Sequence, residues 1–201
     1  MVYTPLVSTW LQPIAPGLSR WSAPHPAWEA GAEPESVEDW PERVGCAVFE
    51  ASERVVFIDA LVPPAEEALW AELDALVNGR PVSVLTTIRW HGRSRDALVE
   101  RYGASQKTPP GVEPFEVRGA KETMYWLPGP AALVPGDRLV GTPDGGVRMC
   151  PLSWFQNLGL GLDDLRESLR PLLGLAVEHV LVSHGEPVLG GGREALRRAL
   201  S

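Results

Sequence analysis

Apolar and polar residues alternate along this chain with two different periods. Cys46–Glu50 and Val55–Ile58 are short β-rich runs separated by the polar Ala51–Arg54, the pattern of a hairpin. From Pro64 to Val77 the apolar positions Ala68, Leu69, Ala71, Leu73, Leu76 and Val77 fall at helical spacing, opened by Pro-Pro and closed by Asn78-Gly79. PVSVLTTI, from Pro81, is a continuous β-branched run and predicts a strand buried on both faces. The polar Arg89–Ser94 follows it, and Arg95–Tyr102 resumes helical spacing. That order puts Arg89–Ser94 at the carboxyl end of a core strand, where open α/β sheets build their sites.

The second half repeats the theme. After a Pro-rich loop at Ser105–Pro114, the segments FEVRG, TMYWLP and AALVPGD read as strands, with a turn at Pro128–Pro130. Leu139–Cys150 reads as a Gly-rich loop and Asp163–Leu173 as a helix with two acids near its positive end. The closing VEHVLVSHGEPVLGGGREALRRAL reads as a buried strand, a turn and an amphipathic helix. Two halves of hairpin plus helix predict an α/β (α+β) chain with two sheets sandwiched between helix layers. Residues 1–43 are richer in Pro and Trp and suit an irregular wrapping segment, with short strands near Leu6–Trp10 and Leu18–Trp21. Four indoles there (Trp10, Trp21, Trp28, Trp40) predict packing onto the core, residues 44–200, as one domain over 1–201.

Composition narrows the function classes. The 201 residues carry 18 basic and 26 acidic side chains, a formal charge of −8, with 44% apolar residues. This suits a soluble globular domain and argues against nucleic acid as the main partner, since the only dense basic run, Arg89–Arg95, is local. Lys107 and Lys121 are the only lysines, a usage that points to a high-GC, bacterial genome. No apolar run spans a bilayer, and no positive charge precedes Arg20, so neither membrane span nor signal peptide is expected. Cys46 and Cys150 are too few for a disulfide framework and too far apart for a metal knuckle, which predicts buried free thiols in the cytoplasm.

Four stretches in order resemble the metallo-β-lactamase superfamily: VVFIDALVPP, ending its strand in Asp59; PVSVLTTI; ALVPGDRLVG, with Gly136 and Asp137; and VEHVLVSHGEPV, with His184. The resemblance covers about residues 44–200 and implies a four-layer αββα sandwich. It also implies a metal motif, His-x-His-x-Asp-His, after the PVSVLTTI strand. Here the matching positions are Ile88, Arg89, Trp90, His91, Gly92 and Arg93, so none of the four ligands is present, and no histidine lies between Gly92 and Gly136. Asp137 and His184 remain, too few to hold zinc alone.

The expectation is therefore a degenerate, metal-free, non-catalytic member that binds an unknown small-molecule or protein ligand in a residual pocket of Trp90, His91, Arg93, Asp137 and His184. In it, Arg93 would pair with Asp137 in place of a metal. The alternative is a hydrolase of an ester, thioester or amide using one Zn, Mn or Fe ion held by His91, Asp137 and His184. The Arg89 and Arg93 pair beside Trp90 would suit an anionic or planar ligand. Lesser readings are a Ser94 or Ser183 nucleophile paired with His91 or His184, a reactive Cys150, and an anion cradle at Gly190-Gly191-Gly192. His25 and His179 read as ordinary loop and strand residues.

Overall fold

A computed structural model describes residues 10–201. The first sheet holds β1 (Gln12–Ala15), β2 (Leu18–Pro24), β3 (Arg43–Ala51), β4 (Arg54–Ile58) and β5 (Val82–Leu85), neighbours in that order. The second holds β6 (Glu113–Val117), β7 (Glu122–Leu127), β8 (Ala132–Val134), β11 (His179–Val180) and β12 (Val188–Leu189), in the order β12-β11-β8-β7-β6. Between β8 and β11 in the chain, β9 (Leu139–Gly141) and β10 (Val147–Met149) make a separate hairpin. The helices are α1 (Glu67–Val77), α2 (Arg95–Tyr102), α3 (Leu162–Leu169) and α4 (Gly192–Ala199).

Strand alternation builds the layers. In β4, Val55 and Phe57 face the layer shared with Leu69, Leu73 and Leu98 of α1 and α2. Val56 and Ile58, on the opposite face, join Tyr125, Leu127, Ala132 and Val134 of the second sheet. The far face of that second sheet, with Met124 and Leu133, packs on Leu165, Leu169 and Leu196 of α3 and α4. Three apolar layers separate four layers of structure, helix, sheet, sheet, helix, as the hydrophobic pattern predicts. All four residues of β5 are buried, and β5 runs parallel to β4.

Several expectations need correction. The N-terminal segment is more regular than its composition suggests: β2 pairs with β3 over all seven of its residues. Of the strand predicted near Leu6–Trp10, only Trp10 is described, and it is not in a strand. Leu139–Cys150 is a hairpin whose turn has Gly145 at φ +78° and the Gly146 N–H bonded to Thr142 Oγ1. The late strand is cut to His179–Val180, and Val188–Leu189 returns beside it, so one more strand precedes α4. The predicted helix Asp163–Leu173 is α3 followed by a 3-10 turn over Arg170–Gly174, where Pro171 cannot extend the α-helical bonding.

Candidate metal centre

The carboxyl ends of β4, β5, β8 and β11 converge. β4 ends at Ile58, and the next residue, Asp59, takes a left-handed φ of 51°. Its carboxylate is anchored by the Thr87 N–H on Oδ1 (2.8 Å) and by the Thr87 hydroxyl on Oδ2. After β5 the chain enters a 3-10 turn, Arg89–Gly92, in which the His91 N–H bonds the Ile88 carbonyl at 2.9 Å. With three residues per turn, His91 swings beneath Ile88 and inward, while Arg89 and Trp90 stay exposed. His91 is 3% exposed, and its Nδ1 donates to Asp59 Oδ2 at 2.8 Å.

After β8, Gly136 turns the chain into Asp137. A Cβ at Gly136 would sit 2.6 Å from Thr87 Oγ1 and 3.0 Å from the Glu122 carboxylate, so glycine is needed for the close approach. Glu122 accepts the backbone N–H groups of Gly136 (3.0 Å), Asp137 (2.8 Å) and Arg138 (3.0 Å) and so fixes the turn that presents Asp137. From β11, Leu181–Ser183 leads to His184, which also bridges to Val44 of the first sheet.

His91, Asp137 and His184 are all buried, and one ligand atom from each lies within 4.8 Å of the other two. Asp137 Oδ1 is 3.0 Å from His91 Nε2 and 3.3 Å from His184 Nε2. Neither contact has the alignment of a hydrogen bond, which leaves this buried oxygen without a directed partner. Two atoms each about 2.1 Å from one ion lie about 3 to 3.4 Å apart, so the two separations from Asp137 Oδ1 suit shared coordination. The donor set, two imidazole nitrogens and a carboxylate oxygen, suits zinc, manganese or iron. Asp59 behind His91 is the outer carboxylate that fixes a ligand histidine's tautomer. The residues therefore fit a single metal ion.

Electrostatics agree with a tightly coupled cluster. Burial pushes His91 down, but the Asp59 and Asp137 carboxylates outweigh it and raise its pKa to about 9. Burial alone would raise Asp137; His91 and His184 instead hold it well below the usual carboxylate range. His184 is lowered, by burial first, with His91 and Arg93 opposing its charge and Asp137 favouring it. Burial, with Asp137 nearby, pushes Glu122 up to about 7.

The five sequence-predicted pocket residues, Trp90, His91, Arg93, Asp137 and His184, line one cavity of about 400 Å³. The expected ion pair between Arg93 and Asp137 is not formed. The Arg93 guanidinium is drawn, through its two terminal nitrogens, to the carbonyls of Gly45 (3.3 Å) and Asp59 (3.1 Å) and to Ser183 Oγ (2.8 Å) behind the site, and its buried Nε has no partner among the described residues. Asp137 Oδ2 takes the Trp90 indole N–H at 2.5 Å instead. Arg89 does not line the cavity, so the paired arginines are separated.

The serine reading also fails on geometry, because Ser94 Oγ bonds the backbone of Val62 and Ser183 Oγ accepts from Arg93. At Gly190-Gly191-Gly192 the backbone N–H groups are taken by Glu178, which leaves no anion cradle. Cys150 is 1% exposed, and burial pushes its thiol up to about 12, an unreactive state.

Sequence reasoning missed half of the wall. His25, Val37 and Trp40 come from the N-terminal segment, and Ser153, Trp154 and Asn157 from the chain before α3. Trp40 and Trp154 meet His184 in T-shaped contacts at ring separations of 5.7 and 5.4 Å, and His25 packs on Trp40 at 5.0 Å. The two wall segments are tied together: the Trp154 indole donates to the Ser36 carbonyl at 2.9 Å, and Ser153 Oγ donates to the Glu35 carbonyl. The abundance of tryptophan was the available signal, although it does not say which indoles meet.

This architecture, with its site at the strand ends between two sheets, is the metallo-β-lactamase fold. The chain is similar to a metallo-β-lactamase from Erythrobacter litoralis, solved with β-mercaptoethanol in the active site (TM-score 0.61, 13% identity, 94% of this chain and 93% of that one). It is also similar to the DIM-1 metallo-β-lactamase (TM-score 0.60, 12% identity, 94% and 95%). A metallo-β-lactamase family protein from Thermus thermophilus matches at TM-score 0.52 and 15% identity over 92% and 77%. No family model and no curated protein matches the sequence. Among the described residues no helix is long and apolar enough to cross a membrane.

Proposed function

We propose that the protein is a hydrolase that binds one divalent cation, Zn, Mn or Fe, through His91, Asp137 and His184 and cleaves an ester, thioester or amide of a small molecule held in the cavity. The observation that carries this reading is the convergence of three buried ligand atoms, one of them an Asp137 oxygen with no directed partner. A metal there supplies Lewis acidity toward a carbonyl oxygen and a water more acidic than bulk water. The chain supplies the rest. Asp59 holds the His91 tautomer that turns Nε2 toward Asp137. Trp90 occupies the second Asp137 oxygen and leaves the first, between the two imidazoles, without a directed hydrogen bond. The Trp40 and Trp154 rings packed on His184 limit water around it. The buried free thiols support a reducing, cytoplasmic setting.

A second reading has its own support. In the absence of metal, His91 lies between two carboxylates, Asp59 and Asp137, and a protonated ring there neutralises both. That arrangement suits a degenerate, non-catalytic ligand-binding protein. Elemental analysis separates the two, on protein purified without chelator and offered Zn²⁺, Mn²⁺ and Fe²⁺ beside the His184→Ala variant. About one metal per chain, lost in the variant, is expected for the hydrolase. No metal in either protein overturns it and leaves the binding protein.

A further inference from the structure

We infer that the cavity selects a flat, uncharged aromatic group, so that the ligand is a neutral aromatic carbonyl compound such as an aryl amide or ester; this rests on the cavity being the binding site proposed above. The walls are built for stacking. Trp40, Trp90 and Trp154 all face the same cavity of about 400 Å³, within the range of small-molecule sites. Two of the indoles are held by their N–H groups, Trp90 on Asp137 Oδ2 and Trp154 on the Ser36 carbonyl, so these rings are positioned before a ligand arrives. The mouth is apolar as well: Val37 and Trp90 are 55% and 53% exposed, and Leu152, next to the wall residue Ser153, is 42% exposed. Exposed hydrophobic side chains gathered at one opening mark a surface that receives apolar material.

Charge on the wall excludes ions of both signs. The terminal nitrogens of Arg93 are already bonded to two carbonyls and a hydroxyl, and Asp137 holds the Trp90 indole on Oδ2 while its Oδ1 sits between the His91 and His184 rings, where the proposed metal would neutralise it. The segment that brings Val37 and Trp40 to the wall carries Glu29, Glu33, Glu35, Glu38, Asp39 and Glu42 with no Lys or Arg between them, so an anion meets repulsion at the entrance. A cation that passes this segment meets the Arg93 guanidinium inside. Asn157, on the same wall, offers a donor and an acceptor without charge for the polar edge of a neutral ring system.

The test uses the full chain, chelator-treated and zinc-loaded in parallel, titrated with four probes by calorimetry and tryptophan fluorescence. They are 1-naphthamide, its saturated decahydronaphthalene analogue, 1-naphthoate, and (1-naphthylmethyl)trimethylammonium. The naphthamide is expected to bind in both metal states, about tenfold more tightly than each of the other three, with indole quenching. Trp90→Ala is expected to weaken it about tenfold, with a lower melting temperature because buried Asp137 loses its indole donor. If that variant does not fold, quenching in the native protein and the ranking of the four probes still decide. Tighter binding of either ion, equal binding of the saturated amide, or no binding of any probe at millimolar concentration overturns the inference. Zinc uptake without naphthamide binding sinks only the inference; naphthamide binding by a protein that takes up no metal sinks only the hydrolase reading.

Discussion

His91 is the residue on which the site turns, because both of its ring nitrogens face carboxylates and its Nδ1 is held by Asp59 together with the Thr87 hydroxyl. Asp59→Ala is expected to lower metal affinity about 10- to 100-fold while His91 stays in place, measured by competition with a chromophoric chelator. Unchanged affinity would remove Asp59 from the site. In the core, Phe57 is fully buried between Trp21 and Tyr102, with ring separations of 6.3 and 6.1 Å. Phe57→Ala is expected to cost about 3–5 kcal/mol, read as a lower urea midpoint at constant slope. The two thiols contribute to the loss of stability at alkaline pH. Burial raises Cys46 to about 11 and Cys150 to about 12, from an ordinary value of 9.0. Above about pH 9 the unfolded chain loses protons that the folded chain keeps, so stability present below that pH falls as pH rises toward 11, by about 1.4 kcal/mol per unit for each thiol. Urea titrations at pH 8, 9 and 10 check the sign, and Cys46→Ala should flatten the slope.

At the level of elements, two short turns bring the ligands into place. The Glu122-bound turn after β8 tolerates no side chain at Gly136, so Gly136→Ala is expected to displace Asp137 and abolish metal uptake in a protein that still melts cooperatively. Wild-type uptake in that variant would show that the turn has slack. The same scale explains what the sequence could say. α1 and α2 were legible because their apolar positions repeat over two turns or more and each ends in a left-handed residue, Asn78 or Gly103. β9 and β10 were not, since three-residue strands are too short to display a period. The candidate site was half legible: Asp137 and His184 follow strands whose pattern is clear. His91 looked out of register because positions were counted along an extended loop, whereas a 3-10 turn rotates it inward. The path of Arg93 to the Gly45 and Asp59 carbonyls was unreadable, because backbone acceptors leave no mark in the residue order.

Across the whole molecule, the first sheet with α1 and α2 comes from residues 12–102, and the second sheet with α3 and α4 from 113–199. Each half owns one helix-covered layer, but the layer between the sheets, from Leu18 and Phe49 to Leu127 and Leu181, belongs to neither alone. The site is divided in the same way: His91 comes from the first half and Asp137 and His184 from the second, joined where Val44 bridges His184. The cluster is thus a seam mark, like a line drawn across two boards before they are separated, and it reads true only when the halves are correctly seated. A ligand gripped there would act as a fastener across the seam, and its departure would loosen the joint before it loosened either board.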